Sequence, residues 1–102
     1  MTDTAAQPIS IATIATVEPA RIIVRLCKHW GHKFPVSHDD TQGRIELPFG
    51  LCLLSAGEGQ LSVRLEGMAG ADMARFEQVV ADHAQRMARG ETYAWHWQRT
   101  PA

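Results

Sequence analysis

Two stretches with the 3.6-residue period of a helix bracket a run of segments with the two-residue period of a strand, and this order most constrains the fold. Gln60 to Glu66 is the clearest strand: Leu61, Val63 and Leu65 face one way, Ser62, Arg64 and Glu66 the other. Arg44 to Phe49 also alternates, with Pro48 pointing to an edge or a bulge, and Leu51 to Ala56 reads as the strand between them. Gly57-Glu58-Gly59 is a hairpin-like turn, and His38 to Gly43 carries turn chemistry after a short extended piece from Phe34 to Ser37. Ile9 to Val17 is β-branched and roughly alternating, which predicts a first strand.

The first helical stretch opens at Pro19 and runs to Trp30 or Lys33, with Gly31 suited to end it. Ile22, Ile23, Leu26 and Trp30 gather on one stripe, His29 and Lys33 lie at its edge, and Arg21, Arg25, Lys28 and His32 form an opposite basic face. The second spans Ala71 to Arg89 before Gly90, with Met73, Phe76, Val79, Val80, Ala84 and Met87 as its stripe and His83 within it. Tyr93 to Gln98 is read as a last extended segment with Tyr93, Trp95 and Trp97 on one side. The sum is an α+β two-layer sandwich, an antiparallel sheet with two helices side by side on one face. Met1 to Pro8 is expected to be a disordered tail and Arg99 to Ala102 a loose one, leaving a single domain over residues 9–98.

Composition narrows the function. At 102 residues, 45% apolar and 21% charged, the chain has the makeup of one globular domain with its own core. A net charge of −1 leaves no surplus of Lys and Arg to displace counterions, which argues against nucleic acid as a partner. No stretch is long and apolar enough for a membrane, and no secretory pattern is visible, so the expected compartment is cytoplasmic. Cys27 and Cys52 lack a CxxC spacing and read as small buried residues in a reducing environment. Hydrolase elbows, phosphate-binding glycine loops and dinucleotide fingerprints are missing from the sequence, so an enzyme is the less favoured class.

The densest chemistry lies at Cys27-Lys28-His29-Trp30-Gly31-His32-Lys33. His29 and His32, three apart on a helix, with His83 from the second helix, form a candidate set of transition-metal ligands, although the first two lie about 60° apart around the axis and Lys28 and Lys33 put positive charge beside them. Facing each other between the helices, His29 and His83 would form a buried pair that titrates together at depressed pKa. The basic face of the first helix is a candidate anion site for a phosphate, a carboxylate siderophore or an acidic partner. Trp30, Trp95 and Trp97 either stack on a planar ligand or partner or complete the core. Three classes of function remain: a noncatalytic domain binding a small ligand or metal through His29, His32 and His83 with Lys28, Lys33, Trp30 and Trp97; an interaction module or homodimer; and a small enzyme using His29 or His83 as acid–base.

The string Leu26-Cys27-Lys28-His29-Trp30-Gly31-His32-Lys33-Phe34, the strand start Gly43-Arg44-Ile45 and the segment Val79-Val80-Ala81-Asp82-His83 resemble the bacterial domain of unknown function 2218 family across about residues 10 to 98. The resemblance implies a TATA-binding-protein-like β-α-β4-α order. It also implies a setting in iron and siderophore handling, with a siderophore-interacting flavoprotein as partner. An aldolase label carried by some members implies a full (β/α) barrel, which 102 residues are too few to build.

Overall fold

A computed structural model describes residues 7–100. Most of the expected N-terminal tail, residues 1–6, and the last two residues, 101–102, lie outside the described residues. Strand β1 (Ile9–Ala15) is followed by helix α1 (Pro19–Trp30), strands β2 (Val36–His38), β3 (Gln42–Leu47), β4 (Gly50–Gly57) and β5 (Gln60–Gly67), helix α2 (Met73–Met87) and strand β6 (Gln98–Thr100). The six strands form one sheet in the order β2-β3-β4-β5-β1-β6, antiparallel throughout. The α+β class is as expected, and the last strand, expected over Tyr93 to Gln98, lies instead at Gln98–Thr100 on the β1 edge.

Alternation decides which face is covered. Ala12 and Ile14 of β1, Ile45 and Leu47 of β3, Cys52 and Leu54 of β4, and Leu61, Val63 and Leu65 of β5 are all buried, and their neighbours along each strand point to the other face. Helix α1 lies over β3, β4 and β5, helix α2 over β5, and the two helices touch. Ile22, Ile23 and Leu26 enter the core from α1, Phe76, Val80 and Ala84 from α2. Burying each large side chain stabilises the fold by about 1.5–3 kcal/mol. Cys27 and Cys52 sit in this core as free thiols, and burial raises the pKa of both.

Turns set the ends of the strands. Asp39 Oδ1 accepts hydrogen bonds from the backbone N–H groups of Thr41 and Gln42, both at 2.8 Å, and so shapes the β2–β3 turn. The expected strand over Arg44 to Phe49 stops at Leu47 instead, because Leu47 pairs with Gly50 and Pro48-Phe49 become the hairpin loop. Proline has no N–H to give a ladder, and Gly50 takes φ +145, where an added Cβ would stand 2.2 Å from Glu66 O. Phe49 thereby leaves the strand and stacks on Phe76, ring centroids 5.3 Å apart.

The chain after α2 departs from expectation. Residues 91–97 form no strand, and the ladder begins at Gln98, where Gln98 and Arg99 pair with Ile11 and Ser10. Arg99, expected in a loose tail, is therefore a strand residue, and it donates two hydrogen bonds to Glu77 of α2 at 2.8 and 2.9 Å. Glu77 is buried, and Ser10 Oγ donates to the same carboxylate at 2.6 Å. Upstream, Gln85 accepts from the Tyr93 N–H and donates to the Glu91 carbonyl, while Glu91 accepts from Thr16 Oγ1 at 2.7 Å. These side-chain bonds hold a segment that lacks ladder bonds of its own.

Two outcomes follow. Gly43 brings β3 against α1, where an added Cβ would lie 2.8 Å from Ile23 Cγ2, so Gly43→Ala is expected to cost about 1–3 kcal/mol in urea unfolding, while Ser55→Ala on the open face stays within about 0.5 kcal/mol. The bonds from Arg99, and next those from Ser10, hold the Glu77 carboxyl below its ordinary pKa against the opposing effect of burial. Its contribution is therefore present above the ordinary carboxylate range and fades as pH falls through the lowered value. Glu77→Ala is expected to lose about 1–3 kcal/mol at pH 7, discounted because Arg99 remains half in water, and to flatten the acid limb of a stability-against-pH curve.

Candidate functional site

The apolar stripe of α1 turns Leu26 and Trp30 to the sheet, and that of α2 does the same with Val80 and Ala84. Side by side, the helices bring the residues at the inner edges of their stripes together. The His29 and His83 rings have centroids 5.1 Å apart, and His83 also lies against Trp30 at 4.7 Å, tilted by 36°. His29 meets Trp30 edge-on at 6.1 Å. Trp30 is only 5% exposed, so it serves as the apolar floor of this cluster and not as an open stacking surface.

The two histidines are not the buried pair the sequence predicts: His29 is exposed and His83 half-buried. His83 Nδ1 lies 2.7 Å from the carbonyl oxygen of Val79, one helical turn back. With the proton on Nδ1, it donates there and leaves Nε2 with its lone pair. The His29 imidazole is held below the ordinary histidine pKa, first by loss of water around the ring and then by His83, Arg86, His32 and Lys33. The charged groups that lower it are all basic, and no carboxylate among the described residues offsets them. Lys28 and His29 lie in the last turn of α1 and Arg86 in the last turn of α2, where the exposed carbonyls of each helix favour cations.

The remaining candidates do not all join. His32 is exposed in the turn after α1, and no group of three or more His, Cys, Asp or Glu among the described residues is arranged to hold a metal ion. The expected set of His29, His32 and His83 is not among such groups, and His32 lies beyond Trp30, the last residue of α1. Lys28 and Lys33 are exposed and make no ion pair among the described residues. Arg21 is drawn out of the basic face, because its guanidinium donates to the Met87 carbonyl at the end of α2. Trp97 stacks on Trp95 at 5.3 Å with planes 9° apart, in a depression with Ala74, Gln78 and Ala81 on a different side of α2 from His83. It belongs to the packing of the C-terminal segment and not to the histidine cluster.

Sequence reasoning missed Glu77 and Arg86. Glu77 falls within the apolar stripe of α2, four residues after Met73 and three before Val80, where an unpaired carboxylate would be costly. That position was a readable signal for a buried partner. Arg86 follows His83 by three residues, on the same side of the helix.

The family profile described as an uncharacterized protein conserved in bacteria, domain of unknown function 2218, matches residues 11–98. The chain belongs to this family. The fold is also similar to the NMR structure of PA4090 from Pseudomonas aeruginosa, at 38% identity and a TM-score of 0.73, covering 88% of this chain and 94% of that one. No curated protein matches. Among the described residues no helix is long and apolar enough to cross a membrane.

For this member of the domain of unknown function 2218 family, the contact between its helices sets a measurable titration. His29 is expected to titrate below the ordinary histidine value in a proton NMR pH series, and His83→Gln to move its midpoint upward. The folded state binds this proton less readily than the unfolded chain, so stability falls as pH drops below about 6.5, and His29→Gln removes that part of the loss.

Proposed function

We propose that this protein is a cytoplasmic, noncatalytic binding domain whose inter-helix site takes a small carboxylate-rich anion. The observation that supports the reading is the seam itself, with the His29 and His83 rings 5.1 Å apart beside Trp30, together with the basic groups His83, Arg86, His32 and Lys33 that hold the His29 pKa down with no carboxylate among the described residues offsetting them. An anion seated there would raise the pKa of His29 and gain a charge-assisted hydrogen bond from its protonated ring. His83 backs the His29 ring, and Trp30 closes the apolar side of the site. The link to iron and siderophore handling, and to a flavoprotein partner, rests on the resemblance; it makes a ferric carboxylate chelate the ligand class to try first. Iron would then arrive as part of the ligand.

Acid–base catalysis has less support. His83 Nδ1 is engaged with Val79, and the thiols of Cys27 and Cys52 are buried with raised pKa values, unsuited to act as nucleophiles.

Titration with citrate, and with the diamagnetic gallium citrate, followed by NMR tests the reading. Saturable shifts of the His29 ring and the Trp30 indole are expected, with binding at least tenfold weaker in Lys33→Glu, Arg86→Glu protein and weaker at high salt. Flat signals up to about 10 mM of either ligand would sink it, as would unchanged affinity in the double variant.

A further inference from the structure

No described element covers the sheet face turned away from the helices, and its register carries a pattern the inter-helix site does not use. Arg44, Leu53, Arg64 and Ile11 lie directly opposite one another across β3, β4, β5 and β1. Two residues along, Glu46, Leu51, Glu66 and Ile9 form a parallel row in the same strand order. The face therefore has one basic and one acidic row, each with apolar residues in β4 and β1. Within the chain each arginine reaches along its own strand to the glutamate, at 2.9 Å for Arg44 and 2.7 Å for Arg64. On the third row, Ser55 and Ser62 border a depression of about 640 Å³ that also reaches Ile11 and Leu53.

Such a surface is complementary to itself. A two-fold axis lying in the plane of the face, across the strands and between the two charged rows, turns the basic row of one copy onto the acidic row of the other. Arg64 then faces Glu66, Arg44 faces Glu46, and Leu53 faces Leu51. The same operation sets Ser62 against the residue two beyond Glu66, which is Met68. Met68 is 56% exposed, and its N–H bonds to the Phe49 carbonyl at 2.9 Å, extending β5 outward. Its side chain is a knob of the size and polarity that the depression beside Ser62 accepts.

We propose that the open sheet face is a homodimer interface, formed with a second copy of this chain by this two-fold pairing of rows. Face-to-face sheets pack about 10 Å apart and about 30° off parallel, which preserves the match at β4 and β5 and relaxes it at the edges. Edge-to-edge pairing is less favoured, because both edge strands, β2 and β6, are only three residues long. The face offers about 500 Å² per copy, about 1,000 Å² in all, which is the area of a weak, reversible dimer.

Sedimentation equilibrium between about 10 µM and 1 mM protein tests this, with circular dichroism confirming each fold. Reversible association that weakens with salt is expected. Arg64→Glu alone and Glu66→Arg alone each set like charges opposite and are expected to weaken it at least tenfold, and Met68→Ser several-fold. The combined Arg64→Glu, Glu66→Arg protein restores opposite charges across the axis and is expected to recover the wild-type constant. A monomer at every concentration, single reversals without effect, or a double reversal that fails to recover in folded protein would each overturn the proposal. A monomeric result would leave the face to a different occupant. The histidine cluster lies on the helical side, so the outcome is independent of the citrate titration.

Discussion

The docking of two short helices side by side on one face of the sheet is the constraint on which the rest depends. Helix α1 has 12 residues and α2 has 15, lengths that are marginal for a helix alone in water. Their stability comes from burying Ile22, Ile23 and Leu26, and Phe76, Val80 and Ala84, against β3, β4 and β5. Each stripe is narrower than the helix, so the residues at its inner edge are left in the seam. On α1 that residue is His29 and on α2 it is His83, with Trp30 beneath. The cluster is thus a consequence of packing, and basic groups from the C-terminal ends of both helices act on it.

A second constraint ties down the C-terminal segment. Burying Glu77 removes a carboxylate from water, which is tolerable only with partners in place. Ser10 supplies one from β1 and Arg99 supplies two hydrogen bonds from β6, so the carboxylate joins a helix and two strands at one point. Farther back, Arg21 bonds the Met87 carbonyl and Arg89 pairs with Glu18, linking the start of α1 to the end of α2. These two sets of bonds set how α2 lies against α1 and so where His83 meets His29.

Much of this was legible in the sequence. The periods of Leu61 to Leu65 and of Ile22 to Trp30 identify the strand and the helix, and the positions of His29 and His83 on their stripes point to a meeting between the helices. Where two chemistries compete, the pattern is less decisive: alternation carries the β3 strand through to Phe49, but the missing N–H of Pro48 turns the chain and sends Phe49 to Phe76. The three-residue β6 is too short to show a period, and the Trp95–Trp97 stack rests beside α2, not on the sheet, which no local rule dictates. His32 lies three residues from His29, yet the helix ends between them. The rows of charge on the open face follow from register, which the sequence leaves open until the hairpin turns at Pro48-Phe49 and Glu58-Gly59 are fixed.

The central claim is that the seam between α1 and α2 brings the His29 and His83 rings together over Trp30. Aromatic nuclear Overhauser spectroscopy on carbon-labelled protein at neutral pH tests it most directly. The account predicts cross-peaks between the His29 and His83 ring protons, and from His83 to the Trp30 indole, as ring centroids 5.1 and 4.7 Å apart require. His83 contacts to Trp30 without any to His29, or rings that see only their own helices, would contradict it.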